Sequence, residues 1–261
     1  MARLLLIEGI PGSGKSTLAA CLSTRLNKEV PPCACYLEGQ AGHPAELEWH
    51  ACFTQAEFAS LCSVFPENAA RLSARTKVEG NFYLVNYMEG GIPAFSGALL
   101  SRLRAREFRH TLSPRIPLQT YLDVSLSRWG SLAAEWSCKK GFLLLEAAFL
   151  QHPVQDLRLH YSMPEDALCA FLQNTAEVLR PLAPTLFYLA QDDVPKTLSY
   201  IAAARNWPEM AYPDSIAFFA RRQALELAIL PKLPLCSHVV FRAGETPEET
   251  ARRMQSMLCL P

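Results

Sequence analysis

The chain has 261 residues, half of them hydrophobic, and its 25 basic residues balance 25 acidic ones at a formal net charge of zero. The hydrophobic content allows one sizeable core, and the balanced charge argues against a nucleic acid as a general partner. No apolar run in the sequence approaches the roughly 20 residues that a membrane span needs. The absence of a secretory signal, together with nine cysteines that form no CxxC pair, predicts a cytoplasmic protein with free thiols.

The N-terminal segment combines a strand, a glycine-rich loop and a helix. Arg3–Ile7 is a short apolar run ended by glycines, which predicts a buried parallel strand. Lys15–Leu26 predicts a helix, because its leucines recur on one face at helical spacing. Between the two, Gly9–Ser16 reads GIPGSGKS and matches the GxxxxGKS/T pattern of a phosphate-binding P-loop.

Each position of this loop has a task in holding a polyphosphate. The glycines let the backbone turn tightly, so that its amides approach phosphate oxygens at a helix N-terminus. Lys15 places a cation on the β- and γ-phosphates, and the Ser16 hydroxyl completes the shell of a Mg²⁺ ion. We therefore predict that these residues bind a nucleoside triphosphate with Mg²⁺: Gly9, Pro11, Gly12, Ser13, Gly14, Lys15, Ser16 and Thr17.

After the first helix the sequence predicts one more strand and then a long insertion. Cys33–Leu37 is a strand candidate that ends at Glu38. Residues 42–140 far exceed the dozen or so residues that a parallel crossover requires, so they predict a helical insertion that binds the acceptor. Its basic run, Arg102–Arg109, could receive an anionic substrate or a polynucleotide phosphate, or could form a solvated face. The helix candidates of the insertion are Ala51–Val64, Pro66–Val78, Ala98–His110 and Gln119–Cys138.

The C-terminal half alternates short apolar runs with helical patterns. Its strand candidates are Gly141–Leu145, Thr185–Leu189 and His238–Phe241. Its helix candidates are Pro164–Leu179, Val194–Arg205, Ser215–Leu230 and Thr246–Leu258. Five strands that alternate with helices predict an α/β fold with a doubly wound, five-stranded parallel sheet. We interpret residues 1–261 as one domain that contains the insertion.

Two acidic residues follow strands of this sheet, where ligands bind in open parallel sheets. Glu146 could bind Mg²⁺ directly or through water, and Glu38 could accept the proton of an attacking hydroxyl or help to hold the metal. Arg205 is the leading candidate for a catalytic cation beside Lys15, and Gln151 could hydrogen-bond a substrate. Each of these side chains could instead serve only as a cap, an ion-pair partner or a solvated charge.

Four stretches of the chain resemble P-loop kinases of nucleosides and nucleotides, thymidylate-kinase-like proteins in particular. Arg3–Thr17 looks like their first strand and phosphate loop, and Leu37–Gly39 looks like the acidic turn after their second strand. Tyr188–Arg205 is similar to their fourth strand, proline-started helix and lid arginine, and Phe241–Met257 to their last strand and closing helix. The resemblance implies the strand order 2-3-1-4-5 and ATP as the phosphate donor.

The resemblance also implies an adenine site near Arg205 and Ala243. At the acceptor side, however, the sequence departs from the family's motifs in two places. Glu38 is followed by Gly39-Gln40, whereas thymidylate kinases typically have an Asp-Arg pair there. Glu146 is followed by two alanines, where deoxynucleoside kinases often have a Glu-Arg-Ser motif. We therefore predict an ATP-dependent kinase that phosphorylates a hydroxyl of a small molecule other than a standard nucleotide.

Two other functions fit the same motifs. A P-loop ATPase could hydrolyse ATP slowly as a switch and use the insertion to grip a protein partner. A kinase could act instead on an RNA or a protein-bound group through Arg102–Arg109. ATP turnover with and without small acceptors distinguishes the first alternative from the predicted kinase, and salt-dependent retention on RNA would support the second.

Overall fold

The computed structural model describes residues 2–29, 32–40, 42–109, 115–242 and 244–258. Its strands are β1 (Arg3–Glu8), β2 (Cys33–Tyr36), β3 (His50–Thr54), β4 (Thr76–Glu79), β5 (Phe82–Asn86), β6 (Met88–Glu89), β7 (Ile92–Pro93), β8 (Phe142–Glu146), β9 (Thr185–Leu189) and β10 (Cys236–Val240). Its α-helices are α1 (Lys15–Glu29), α2 (Gln55–Val64), α3 (Ala69–Ala74), α4 (Gly97–Arg104), α5 (Leu118–Ser137), α6 (Gln151–Leu159), α7 (Glu165–Leu179), α8 (Val194–Ala204), α9 (Pro213–Ile229) and α10 (Pro247–Met257). The chain divides into two units, the first formed by Met1–Pro44, Ala133–Arg158 and Met163–Pro261, and the second by Ala45–Leu132 and Leu159–Ser162.

The first unit is built on a five-stranded sheet whose strands all run parallel, in the order β10-β9-β1-β8-β2. Read from the other edge and numbered along the chain, this order is 2-3-1-4-5. β1 is central, because Leu5 pairs with Leu144 on one side and with Thr185 on the other. Leu4–Ile7 are fully buried, as expected of a strand covered on both faces. The predicted α/β fold with five parallel strands is confirmed.

Helices α1 and α10 pack together against this sheet. Leu18 and Leu22 of α1 share a buried cluster with Ala251 and Met254 of α10. The side chain of Thr246 caps α10 in the reciprocal arrangement with Glu249 that the Thr-x-x-Glu spacing predicts. Of the helices in the described part of the chain, none combines the length and the apolar character that a membrane span requires.

The second unit contains strands as well as helices, so the region of residues 42–140, which was predicted as a helical insertion, is only partly helical. Strands β3, β5 and β4 form an antiparallel sheet in that order, and β6 and β7 form a hairpin across Gly90-Gly91. The start of the predicted helix Ala51–Val64 belongs to β3, and the end of Pro66–Val78 belongs to β4. β3 is a short buried run and β4 is largely exposed, so neither shows the alternation of apolar and polar residues that marks a strand. Helix α2 begins only after Thr54, which caps it.

The basic run Arg102–Arg109 is divided among different environments. Helix α4 ends at Arg104, well before the end of the predicted helix Ala98–His110, and residue 110 lies outside the described residues. The Arg106 guanidinium lies 2.9 Å from the Glu57 carboxylate. Arg109 is buried, with Glu48 at 3.9 Å. Part of the run is thus used in ion pairs inside its own unit, which weakens its interpretation as a phosphate-binding surface.

Candidate active site

The predicted phosphate loop connects β1 to α1. Gly9, Pro11, Gly12, Ser13 and Gly14 lie in the turn, and Lys15, Ser16 and Thr17 form the first turn of α1. Gly12 has φ +82°, and a Cβ atom there would lie 2.4 Å from Ile201 Cγ1 on α8. Glycine is therefore required at this position for two reasons, the left-handed backbone and the close packing of α8.

Lys15 lies at the centre of the loop. Its side chain is buried, and Nζ donates to the carbonyl oxygens of Gly9 at 3.0 Å and Ile10 at 3.2 Å. Burial lowers the pKa of Lys15, while Glu38 and Glu146 act in the opposite direction. An ammonium group that is desolvated and held in place is well suited to pair with a polyphosphate, because such pairing restores the charge compensation lost on burial.

A second group in the loop points to the same ligand. The Ser13 hydroxyl is buried and has no hydrogen-bond partner among the described residues. A buried hydroxyl without a partner costs about 1–3 kcal/mol. A phosphate oxygen in the loop would accept its hydrogen bond and remove that cost. The loop therefore fits a phosphate by its backbone, by Lys15 and by this hydroxyl.

Ser16 and Glu146 form the part of the site that could hold a metal ion. The Ser16 hydroxyl donates to Glu146 Oε1 at 2.7 Å, and the Glu38 backbone N–H donates to Glu146 Oε2 at 3.2 Å. The described residues include no group of three or more His, Cys, Asp or Glu side chains that could hold a metal. Mg²⁺ in nucleotide sites needs only one or two protein oxygens, besides phosphates and waters, and this pair fits that requirement.

Glu38 meets two side chains from the start of α6. Gln151 Nε2 donates a short hydrogen bond to Glu38 Oε1, and His152 Nε2 lies 3.2 Å from the same oxygen. The Glu38 side chain is 38% exposed, whereas that of His152 is 8% exposed. Gln151 is the substrate-binding candidate predicted from the sequence, whereas His152 belongs to no motif. The contact brings together the ends of β2 and β8, and the Glu38 carboxylate remains accessible to a ligand.

Glu8 is a buried acid that the sequence analysis missed. It is the last residue of β1, and its carboxylate accepts the backbone N–H groups of Phe149 at 2.7 Å and Gln151 at 3.0 Å. These bonds fix the turn after Glu146, in which Ala147 adopts the left-handed conformation with φ +61°. Burial raises the pKa of Glu8 to about 7, although the backbone hydrogen bonds lower it. An acid directly after the apolar run Leu4–Ile7 was the available signal.

Glu8 should make the stability of the protein depend on pH. A carboxyl with a pKa of about 7 when folded and 4.5 when unfolded binds its proton more tightly in the folded state. Its contribution to stability is therefore complete below the lower value and is lost as pH rises to the upper one. Relative to Glu8→Gln, the wild-type free energy of unfolding should fall by on the order of 3 kcal/mol between about pH 4 and pH 8.

Urea unfolding of both proteins at the two pH values measures this change. Glu209→Gln, at an exposed position, is the control for replacing a glutamate elsewhere. The interpretation is wrong if the stability difference between wild type and Glu8→Gln stays constant over this range.

The arginines after β9 lie in different environments. Arg205 is exposed where α8 ends, and its role as a catalytic cation stays a prediction. Arg222 is buried, with Nε 2.8 Å from Glu226 and Nη2 3.3 Å from the Gly9 carbonyl oxygen. Glu226 also accepts the Tyr188 hydroxyl at 2.6 Å. Arg222 therefore supports the phosphate loop from within the fold and is not part of an exposed cover.

Arg242 is a further residue that no sequence motif indicated. It follows β10, and its Nη1 atom would lie 3.3 Å from a Cβ atom placed on Gly14. Its Nε atom is buried and has no hydrogen-bond partner in the described ranges. Ala243, which was predicted to contact the adenine, lies outside the described residues. Arg242 lies near Gly14 because β10 and β1 run parallel in one sheet, so that Arg242 and the phosphate loop both follow the carboxyl ends of their strands.

We expect the Arg242 guanidinium to donate a hydrogen bond to a phosphate of ATP in the loop. Arg242→Ala should therefore weaken ATP binding by roughly ten- to a hundredfold, because a charge-assisted hydrogen bond contributes about 1.5–3 kcal/mol. Isothermal titration calorimetry with ATP and Mg²⁺ measures the effect. Arg252→Ala removes the same charge from an exposed position on α10 and should leave the affinity within about twofold, since exposed charges contribute little. Equal losses in the two variants would show that the effect is general electrostatics and not a contact in the site.

Comparison with known proteins assigns no family to the chain. No protein-family model matches it, and its sequence matches no curated protein. Among solved structures, a thymidylate kinase from Candida albicans is 14% identical, with a match that covers 98% of this chain and 91% of that one at a TM-score of 0.45. At this identity and TM-score, the likeness does not carry the activity or the substrate over to this chain.

Proposed function

We propose that the chain is a kinase that transfers the γ-phosphoryl group of ATP to a hydroxyl group of a small molecule. One observation supports this proposal above the others. Ser16 at the phosphate loop, Glu146 at the end of β8 and the Glu38 backbone after β2 form one hydrogen-bonded chain. A polyphosphate site, a metal-binding pair and an accessible carboxylate therefore lie side by side, which is the set of groups that phosphoryl transfer to a hydroxyl needs.

In this proposal the loop amides from Gly12 to Thr17 hold the ATP phosphates, and Lys15 neutralises the β- and γ-phosphates. Ser16 and Glu146 would hold Mg²⁺, which supplies further positive charge to the phosphates when bound. Arg205 and Arg242 are the proposed additional cations. The positive groups lower the barrier because negative charge spreads over the transferred group in the transition state.

Glu38 is the proposed general base. Its carboxylate takes the proton of the acceptor hydroxyl as the hydroxyl oxygen forms a bond to the γ-phosphorus. The bond from that phosphorus to the bridging oxygen breaks, and its electron pair leaves with ADP. The products are ADP, the phosphorylated acceptor and the proton on Glu38, which water removes afterwards.

The remaining parts of the proposal rest on the sequence. Residues 1–261 would act as one P-loop kinase domain in which residues 42–140 serve the acceptor, and the cytoplasm is the proposed location. The competing idea of an RNA kinase has less support, since Arg106 and Arg109 lie beside acidic residues of their own unit.

The proposal is tested by incubating the protein with ATP, Mg²⁺ and pooled hydroxyl metabolites. We expect ADP and one phosphorylated metabolite in equal amounts, detected by mass spectrometry. ADP formed without any phosphorylated product, at a rate that no pool changes, would contradict the kinase and favour the switch-type ATPase.

A further inference from the structure

In the side-chain amide of Gln151, the NH₂ group has a hydrogen-bond partner among the described residues and the carbonyl oxygen has none. Gln151 is buried, and its NH₂ group donates to the Glu38 carboxylate. A carboxylate only accepts hydrogen bonds, so this contact fixes which end of the amide faces Glu38. The carbonyl oxygen Oε1 is then directed elsewhere, and it has no hydrogen-bond partner among the residues that the structure describes. A buried carbonyl oxygen of this kind lacks the donor that buried polar groups normally have, and a donor group of a ligand can supply it.

The electrostatics of the same edge of the sheet restrict the charge of that ligand. Glu38, Glu146 and Glu8 all lie close enough to Lys15 to favour its charged form. In the proposed function Lys15 pairs with the ATP phosphates, and Arg222 is paired with Glu226, so neither cation is left to pair with an anionic acceptor. A second anion next to Glu38 would therefore meet a carboxylate and a carbonyl oxygen, and both of these disfavour it.

We propose that Gln151 determines the acceptor class by accepting a second hydrogen bond, next to the hydroxyl that Glu38 activates. The acceptor is then a neutral or cationic compound with two neighbouring donors, such as a polyol or an amino alcohol, and not a phosphate monoester. This inference rests on the proposed kinase function and adds the chemistry of the acceptor to it. Glu38 selects the reacting hydroxyl, and Gln151 selects its neighbour.

The experiment compares two matched pools with ATP and Mg²⁺. The first contains polyols, nucleosides and amino alcohols, and the second contains phosphate monoesters of the same compounds. Product is measured by mass spectrometry, and the best acceptor is then compared with its analogue that lacks the second donor. The wild type should lose at least roughly tenfold in kcat/KM on this analogue, because Oε1 is left unpaired. For Gln151→Met, the kcat/KM values of the best acceptor and of this analogue should differ by less than threefold.

Two further variants keep the test decisive. Gln155→Met changes the same residue type one turn later on α6 and should discriminate as the wild type does. If Gln151→Met does not fold, Gln151→Glu replaces it, since an added carboxylate should shift the preference from neutral to amino-bearing acceptors by roughly tenfold.

The possible failures are distinguishable. Preference for the phosphate monoesters, or full discrimination by Gln151→Met, overturns the role of Gln151 and leaves the kinase function standing. If Gln151→Glu keeps the wild-type preference between neutral and amino-bearing acceptors, the role of Gln151 is likewise overturned and the kinase function still stands. Failure of both pools to yield product while ATP binds through Lys15 overturns the kinase function, and the inference falls with it.

Discussion

Lys15→Ala should eliminate measurable phosphoryl transfer and weaken ATP binding by roughly two to three orders of magnitude. The ammonium group is buried inside the loop and donates to the carbonyl oxygens of Gly9 and Ile10. Its removal takes away the one cation that the loop itself holds and leaves both carbonyl oxygens without this donor. The loop would then present less positive charge and a less fixed backbone to the phosphates.

Calorimetric titration with ATP and Mg²⁺ measures the affinity, and circular dichroism and thermal melting show whether the variant is folded. Lys28→Ala is a matched control, because it removes a lysine from an exposed position near the other end of the same helix. We expect this control to bind ATP within about twofold of the wild type. A folded Lys15→Ala protein with wild-type affinity would overturn the phosphate site itself and every role derived from it.

The sheet could be predicted from the sequence because its strands are buried on both faces. Arg3–Glu8 and Phe142–Glu146 are nearly continuous apolar runs bounded by glycine, and such runs between helical patterns are typical of parallel strands. The second unit lacks this regularity. His50–Thr54 is an equally short buried run, but it is followed directly by a helix, and a pattern of so few residues does not separate the two structures. The capping signal Thr54-x-x-Glu57 would have placed the boundary.

The candidate site was predictable only where its chemistry is local in sequence. The phosphate loop is one continuous motif, and Glu38 and Glu146 lie at the carboxyl ends of strands that a parallel sheet places side by side. Glu8 and Arg242 act over long sequence distances, on the turn after Glu146 and on Gly14. Their positions follow from strand order and register, which no spacing in the sequence specifies.

Glu38→Gln should lower turnover by roughly 10²–10⁴-fold, the usual contribution of a general base, and should leave ATP affinity within about threefold. The expectation rests on a division between the side chain and the backbone of this residue. The Glu38 backbone N–H donates to Glu146 and stays in place when the side chain changes, so the metal-binding side of the site is preserved. The amide cannot take a proton from the acceptor, so only the chemical step is impaired.

Glu146→Gln is the informative contrast, since the same chemical change falls on the proposed metal side. It should weaken ATP binding in the presence of Mg²⁺ by roughly tenfold or more and change binding little without the metal. Calorimetry with and without Mg²⁺, together with single-turnover kinetics, resolves the two effects. If Glu38→Gln turns over normally, Glu38 is not the base. If both variants lose Mg²⁺-dependent binding equally, the two acids form one metal site, and the base must be sought elsewhere.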